Sequence, residues 1–262
     1  MPHFIGLDLA WTPHHETGIR VLEGNERSVR LIQLDCRIDT PDRFARYCRD
    51  FGGDVVAAID APLLVGPERT ADRELSAVFG RYRAGAYSAN VSFLERMNGL
   101  AGPKLAQSLR ASGFVLEPSL LTRQVRGRFA LEVFPHSAHV VLFDLPERLA
   151  YKKGRLARRR DGLRLYQRYL GVLLGSEMPE VSATSETMAL LAADSVAVPG
   201  LQLKRLEDQL DAVTCAYVAY HCWNLGPERF RVFGCDEHGA IVTPWPLRPA
   251  RTTTSAPEQT SP

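Results

Sequence analysis

The sequence predicts an α/β protein, a mixed sheet flanked by helices. Three observations carry this. The chain opens with three short strands, the last two joined by a tight reversal. Strand-like and helix-like segments then alternate. One of these strands is apolar almost throughout, as a central strand covered on both faces must be. The length of 262 residues and the 45% hydrophobic and 24% charged composition suit one large domain. We expect it to span residues 1–248, with a helical insertion over about 66–127 and a disordered tail over 249–262.

The first strands read FIGLDLA (Phe4–Ala10), TGIRVL (Thr17–Leu22) and SVRLIQLDCRI (Ser28–Ile38). Between the last two, Glu23-Gly24-Asn25-Glu26 holds the Gly and Asn of a hairpin turn. Thr40 then reads as an N-cap, with Pro41 at the first helical position. The stretch PDRFARYCRDF puts Phe44, Tyr47 or Cys48, and Phe51 on one helical face, and Gly52-Gly53 ends it. Next comes the apolar run VVAAIDAPLLV. Residues 66–127 are rich in Arg, Gly and Ala, with helical stretches near 70–81, 90–98 and 103–112. A further strand, Arg128–Phe134, ends at Pro135, and a short helix follows near 138–145. The stretch Lys152–Arg168 has eight cations against Asp161, with Leu163, Tyr166, Tyr169 and Leu170 as an apolar stripe. It predicts a helix with a positive outer face. The longest helical pattern, Lys204–Trp223, repeats Leu206, Leu210, Val213, Tyr217 and Tyr220 at spacings of three and four. FRVFG, a turn at Asp236–Gly239 and AIVTP predict a C-terminal hairpin.

Several classes fall away. Ample apolar residues exclude disorder as the main state. No apolar run approaches the roughly 18 residues of a spanning helix. The opening MPHFIGLDLAW has no basic segment followed by a long apolar stretch, so no secretory signal is expected. The five cysteines are odd in number and form no C-x-x-C pair, which fits a reducing cytoplasm. The net charge of +2 does not by itself argue for nucleic acid. Of the 32 basic residues 28 are Arg, which serves anion recognition or reflects coding preference.

Four acids stand in unusual places. Asp8 interrupts IGLDLAW, Asp60 ends VVAAID, Glu132 interrupts FALEVF, and Asp211 lies inside the long helix with Asp208 one turn earlier. A buried acid must be paired, neutralised or bound to a cation. Acids at several strand ends can converge, because ligands of α/β sheets gather there. Two carboxylates 4 Å apart repel by roughly 1 to 4 kcal/mol. A cluster of them therefore attracts a multivalent ion, and oxygen-only ligands favour Mg²⁺ or Mn²⁺. Two such ions about 3.5–4 Å apart are the machinery of phosphodiester hydrolysis. Structural roles compete: Asp8 and Asp60 with a backbone amide or Arg, Glu132 with Arg128 or an Arg of the insertion, Asp208 with its helix dipole.

The motifs GLDLAW, AIDAPL, EVFPHSA, YKKGR and DQLDAVTCAYVA together resemble the "predicted nuclease" family called domain of unknown function 429, from about residue 3 to 247. The resemblance implies the RNase H-like superfamily and a five-stranded mixed sheet. It also implies a metal site built from Asp8, Asp60, Glu132 and Asp211. In RNase H-like resolvases the last acid lies in a D-x-x-D-A helix. Asp208–Ala212 matches, with Asp211 the preferred metal ligand and Asp208 the alternative one. All four acids are then expected in one cleft.

Other candidates surround these. Lys152, Lys153 and Arg155 of YKKGR are placed to meet a phosphate, or they form a solvated basic face. His136 follows the Glu132 strand and either orients water or packs. Arg69 and Arg73, near the Asp60 strand, either clamp substrate or form an ion network with Glu74. His14-His15 reads as a surface turn. The leading function is a Mg²⁺- or Mn²⁺-dependent nuclease acting on DNA or RNA, with no membrane partner. An ATP-dependent kinase or ATPase of the actin and sugar-kinase type is a second reading. Against it, Asp8 is followed by Leu9-Ala10-Trp11 without a phosphate-admitting Gly, and no G-x-x-x-x-G-K-[ST] loop occurs. A non-catalytic nucleic-acid-binding module is the third.

Overall fold

The computed structural model describes residues 1–10, 17–32, 40–96, 99–175, 180–182, 184–195 and 197–246. His14-His15, the expected strand extension over 33–38 and the expected tail lie outside them.

Strands β1 (His3–Asp8), β2 (Gly18–Gly24) and β3 (Ser28–Ile32) form an antiparallel meander. Asn25 Oδ1 accepts from Arg27 N and Ser28 N and closes the expected turn. Helix α1 (Pro41–Asp50) starts at Thr40, whose hydroxyl accepts from Arg43 N at 3.3 Å. Strand β4 (Val55–Ile59) is buried along its whole length. Helices α2 (Ala71–Phe79), α3 (Val91–Arg96) and α4 (Ala101–Ala111) follow. Strand β5 (Arg128–Val133) leads directly into α5 (Pro135–Leu142), and α6 (Leu156–Leu174) comes next. A short strand β6 (Glu180–Ser182) and a helix α7 (Ser185–Ala192) lie where no element was expected. Helix α8 (Gly200–Leu225) and the hairpin β7 (Phe230–Cys235) and β8 (Gly239–Pro244) complete the fold.

Among the described residues, eight strands share one mixed sheet in the order β6-β3-β2-β1-β4-β5-β8-β7. The expectation of five strands is therefore corrected. The five core strands are contiguous, but β6 adds to one edge and the hairpin to the other. Edge strands leave backbone groups unpaired, and these additions satisfy them.

Side chains alternate between sheet faces. Phe4, Val56, Ala58, Phe129, Leu131 and Val133 pack beneath α5, α6 and α8. Ile5, Leu7, Val55, Ala57, Ile59 and Ala130 pack beneath α1 and α4. Helix α4, inside the stretch expected as an insertion, thus covers the main sheet, and α2 covers the C-terminal hairpin through Leu75, Phe79 and Phe233. Helix α8 is sandwiched between the sheet and α5, α6 and α7, which explains why it is buried on nearly every face. Two glycines admit it so closely. A Cβ on Gly6 would stand 1.9 Å from Ala212 O, and one on Gly18 would stand 2.2 Å from Asp208 O. Among the described residues no helix is long and apolar enough to cross a membrane.

Candidate metal centre

Alternation decides which acids meet. Phe4 and Gly6 face α8, so Asp8, two further on, faces it too. Val56 and Ala58 give Asp60 the same side, just past the end of β4. Asp60 N donates to Leu7 O at 2.8 Å, which ties the two strand ends together. The close approach at Gly6 brings Asp211 of α8 over them. One carboxylate oxygen from each of Asp8, Asp60 and Asp211 lies within 4.8 Å of the others.

Lys152 fills the middle of this triad. Its Nζ is 2.7 Å from Asp211 Oδ2, 3.4 Å from Asp60 Oδ2 and 3.9 Å from Asp8 Oδ2. Burial would lower the lysine, but the three acids hold it well above its usual value, so it is an ammonium. Asp211 is completely buried. Burial would raise its carboxyl, but Lys152, His139 and the Tyr151 hydroxyl outweigh that and hold it below the usual range. Tyr151 Oη donates to Asp211 Oδ1 at 2.7 Å, and Tyr166 Oη lies 3.1 Å from the same oxygen and 2.6 Å from Thr214 Oγ1. Burial pushes Asp60 up to about 7, against the pull of Lys152. Asp8 is raised as well, first by burial, and its Oδ2 is buried without a hydrogen-bond partner among the described residues.

Two expected ligands are not part of the triad. Glu132 pairs in register with Ile59 and shares the face of Ala130, so it points to the side of the sheet away from α8. It accepts from Arg69 Nη2 at 2.5 Å, Arg69 Nη1 at 3.0 Å and Leu63 N at 2.9 Å. The expected convergence of four acids is therefore corrected to three, because the strand's two-residue period turns Glu132 away. Asp208 lies beside Asp8, which hydrogen-bonds it, and pairs with Lys204. Burial, then the charge of Asp8, raise Asp208 to about 8.

The other candidates divide. Arg69, with a side chain only 1% exposed, binds Glu132 and Asp72 and is a structural clamp rather than a substrate clamp. Arg73 is exposed on α2, and Arg155 is exposed just before α6. Neither lines the cavity above the triad. Lys153 does, with Nζ 2.5 Å from Tyr87 Oη. His136 forms part of the wall, and burial pushes it well below 6.5, so its ring is neutral. The positive face expected on Lys152–Arg168 is reduced. Lys152 turns inward, Arg159 Nη2 binds Glu207 at 2.6 Å, and Arg160 Nη2 donates to Val198 O at 3.0 Å. Arg158 remains exposed and lines the cavity.

The cavity has a volume of about 630 Å³. Arg83, Arg148, Lys152, Lys153, Arg158 and Lys204 line it against Asp8, Asp60 and Glu147. Residues not anticipated from sequence are Tyr151, Tyr166 and Thr214 beneath Asp211, and Tyr87 at the rim. The one signal for Tyr151 was its place in YKKGR, directly before Lys152.

A family model described as "Protein of unknown function (DUF429)" matches residues 6–234, and the chain belongs to that family. No curated protein and no solved structure matches it.

Proposed function

We propose that the protein is a Mg²⁺- or Mn²⁺-dependent hydrolase of phosphodiester bonds, a nuclease with an RNase H-like core. The observation that carries this reading is the triad of Asp8, Asp60 and Asp211, whose oxygens converge within 4.8 Å of one another around the Lys152 ammonium. The donor set fits a hard divalent ion: all three groups are carboxylates, and Asp8 Oδ2 is buried with no hydrogen-bond partner among the described residues. The neighbouring strands β3-β2-β1-β4-β5 accord with the five-stranded mixed core that the resemblance implies.

When bound, the ion supplies Lewis acidity and a water of lowered pKa. Asp211 is held in one orientation by Tyr151 and Tyr166, so the ligand geometry is set before binding. Asp8, Asp60 and Asp211 would hold the ion, and the Lys152 ammonium, 2.7 Å from Asp211 Oδ2, would have to give up that contact to it. The lysine tether keeps the ammonium near the phosphate, where it offsets charge that grows in the transition state. In the reaction a water oxygen bonds to phosphorus while the bond to the leaving oxygen breaks. One water proton is released, and the leaving oxygen gains one.

Mn²⁺ titration by calorimetry, run beside cleavage of DNA and RNA, tests the proposal. Wild type binds Mn²⁺ and cleaves; Asp60→Asn loses cleavage and weakens Mn²⁺ while keeping much of the nucleic-acid binding. Binding of nucleic acid without Mn²⁺-dependent cleavage by wild type would instead favour the non-catalytic module. ATP turnover without either would favour the kinase-like reading.

A further inference from the structure

The triad lies at a floor, not on an open surface. The side chains of Asp211, Asp8 and Asp60 are 0%, 11% and 18% exposed. Two chain segments rise around it. One follows α2 and carries Arg83 and Tyr87; the other precedes α6 and carries Arg148 and Lys153. They are tied to each other by Arg148 N, which donates to Tyr82 O at 2.8 Å, and by Lys153 Nζ, which donates to Tyr87 Oη at 2.5 Å. A cavity of about 630 Å³ is the size of sites that envelop a small ligand. A stiff duplex presents its phosphates on the outside of a cylinder and meets such walls before its backbone reaches the acids. A single strand is narrow and flexible enough to descend.

The rim carries what a single strand needs. Tyr87 is a large aromatic side chain left 64% exposed. Lys153 Nζ meets it at the hydroxyl end, 2.5 Å from Oη and 4.5 Å from the ring centroid, which leaves the ring itself open to a base. Bases stack on such a ring whatever their identity, and neighbouring cations track the backbone. Lys153 and Arg158 are both exposed and both line the cavity.

We infer that the substrate of this centre is a single nucleic-acid strand, one base stacked on Tyr87 and the adjoining phosphates met by Lys153 and Arg158. This rests on the phosphodiesterase reading above and narrows it.

The test uses the full chain in Mn²⁺ with three kinds of substrate. These are a single-stranded oligonucleotide in DNA and RNA forms, the blunt duplex of the same sequence, and the small chromogenic diester bis(4-nitrophenyl) phosphate. Wild type should cleave the single strand at least tenfold faster than the duplex. Tyr87→Ala should raise KM for the single strand about tenfold. Tyr87→Phe, which keeps the ring and loses the hydroxyl, should hold KM within threefold of wild type. Tyr87 is at the surface, so a melting temperature near that of wild type certifies the fold of both variants. Equal cleavage of duplex and single strand by wild type overturns the inference, and so does a single-strand KM indifferent to Tyr87→Ala. In either case hydrolysis of the small diester by wild type leaves the phosphodiesterase reading standing. Wild type that hydrolyses none of the substrates removes that reading, and the inference with it.

Discussion

Replacing Lys152 by methionine removes one ammonium and keeps most of the apolar stem. Its Nζ stands 2.7, 3.4 and 3.9 Å from oxygens of Asp211, Asp60 and Asp8. At an effective dielectric near 20 these separations correspond to attractions of about 6, 5 and 4 kcal/mol before desolvation. Desolvating the ammonium takes back several kcal/mol. The acids left behind repel by about 3.5 kcal/mol per pair at the 4.8 Å limit of the triad. They relieve part of this by binding protons, and Asp60 already holds its proton up to about 7. The expected net loss without metal is therefore about 3 to 5 kcal/mol at pH 8, as for other buried pairs that lose one partner. Carboxyls whose folded pKa is raised bind more protons folded than unfolded, so the loss is largest above that pKa and shrinks toward pH 5. Mn²⁺ should recover part of this loss. In the variant the ion meets no competing ammonium, so its Kd should fall on the order of tenfold. At saturation that adds about 1.4 kcal/mol to the metal-linked gain. Urea unfolding at pH 5.5 and pH 8, in EDTA and in Mn²⁺, measures all of this. Equal stability of variant and wild type in EDTA at pH 8 would refute the charge argument. An equal Mn²⁺ gain in the two would refute a position shared by ammonium and ion.

Three further expectations follow from the same geometry. Burial raises Asp60 to about 7 and Asp208 to about 8, so the metal-free wild type should lose stability as pH climbs from about 4 to 8. Asp60→Asn should flatten the lower part of that slope in urea midpoints taken across pH. Gly6→Ala would set a Cβ 1.9 Å from Ala212 O and 2.3 Å from Ala216 N, and should cost about 3 kcal/mol by overpacking. Gly52→Ala, with nothing within 4 Å, is the control, and equal melting temperatures would contradict the close approach. Glu132→Gln should cost about 3 kcal/mol by weakening the buried pair with Arg69 yet leave Mn²⁺ affinity within twofold. A tenfold loss of affinity in calorimetry would make Glu132 a ligand.

Much of the fold was legible because local chemistry announces itself. Thr40-Pro41 starts a helix by supplying an acceptor and a preset φ. Asn25 closes a hairpin with its own side chain. The unbroken apolar run at Val55–Ile59 fits only a strand covered on both faces. Strand β6 stayed hidden because three residues carry too little pattern. The joining of the hairpin to the main sheet stayed hidden because strand pairing is a long-range choice.

Within the candidate site, the sequence by itself determined that acids stand where acids are costly: in or just after strands at Asp8, Asp60 and Glu132, and in a helix at Asp211. It also determined that cations crowd the stretch beginning at Lys152. Only the tertiary structure decided which of these meet. The pairing of β4 with β5 sets Glu132 beside Ile59, on the face away from α8, where Arg69 satisfies it. The glycines at positions 6 and 18 let α8 descend onto the opposite face and bring Asp211 to Asp8. The loop before α6 sends Lys152 inward rather than to solvent. Strand periodicity separates the two faces of each strand, but register and helix packing choose which face each neighbour shares. That choice is made by contacts between residues far apart in the chain, and no local pattern contains it.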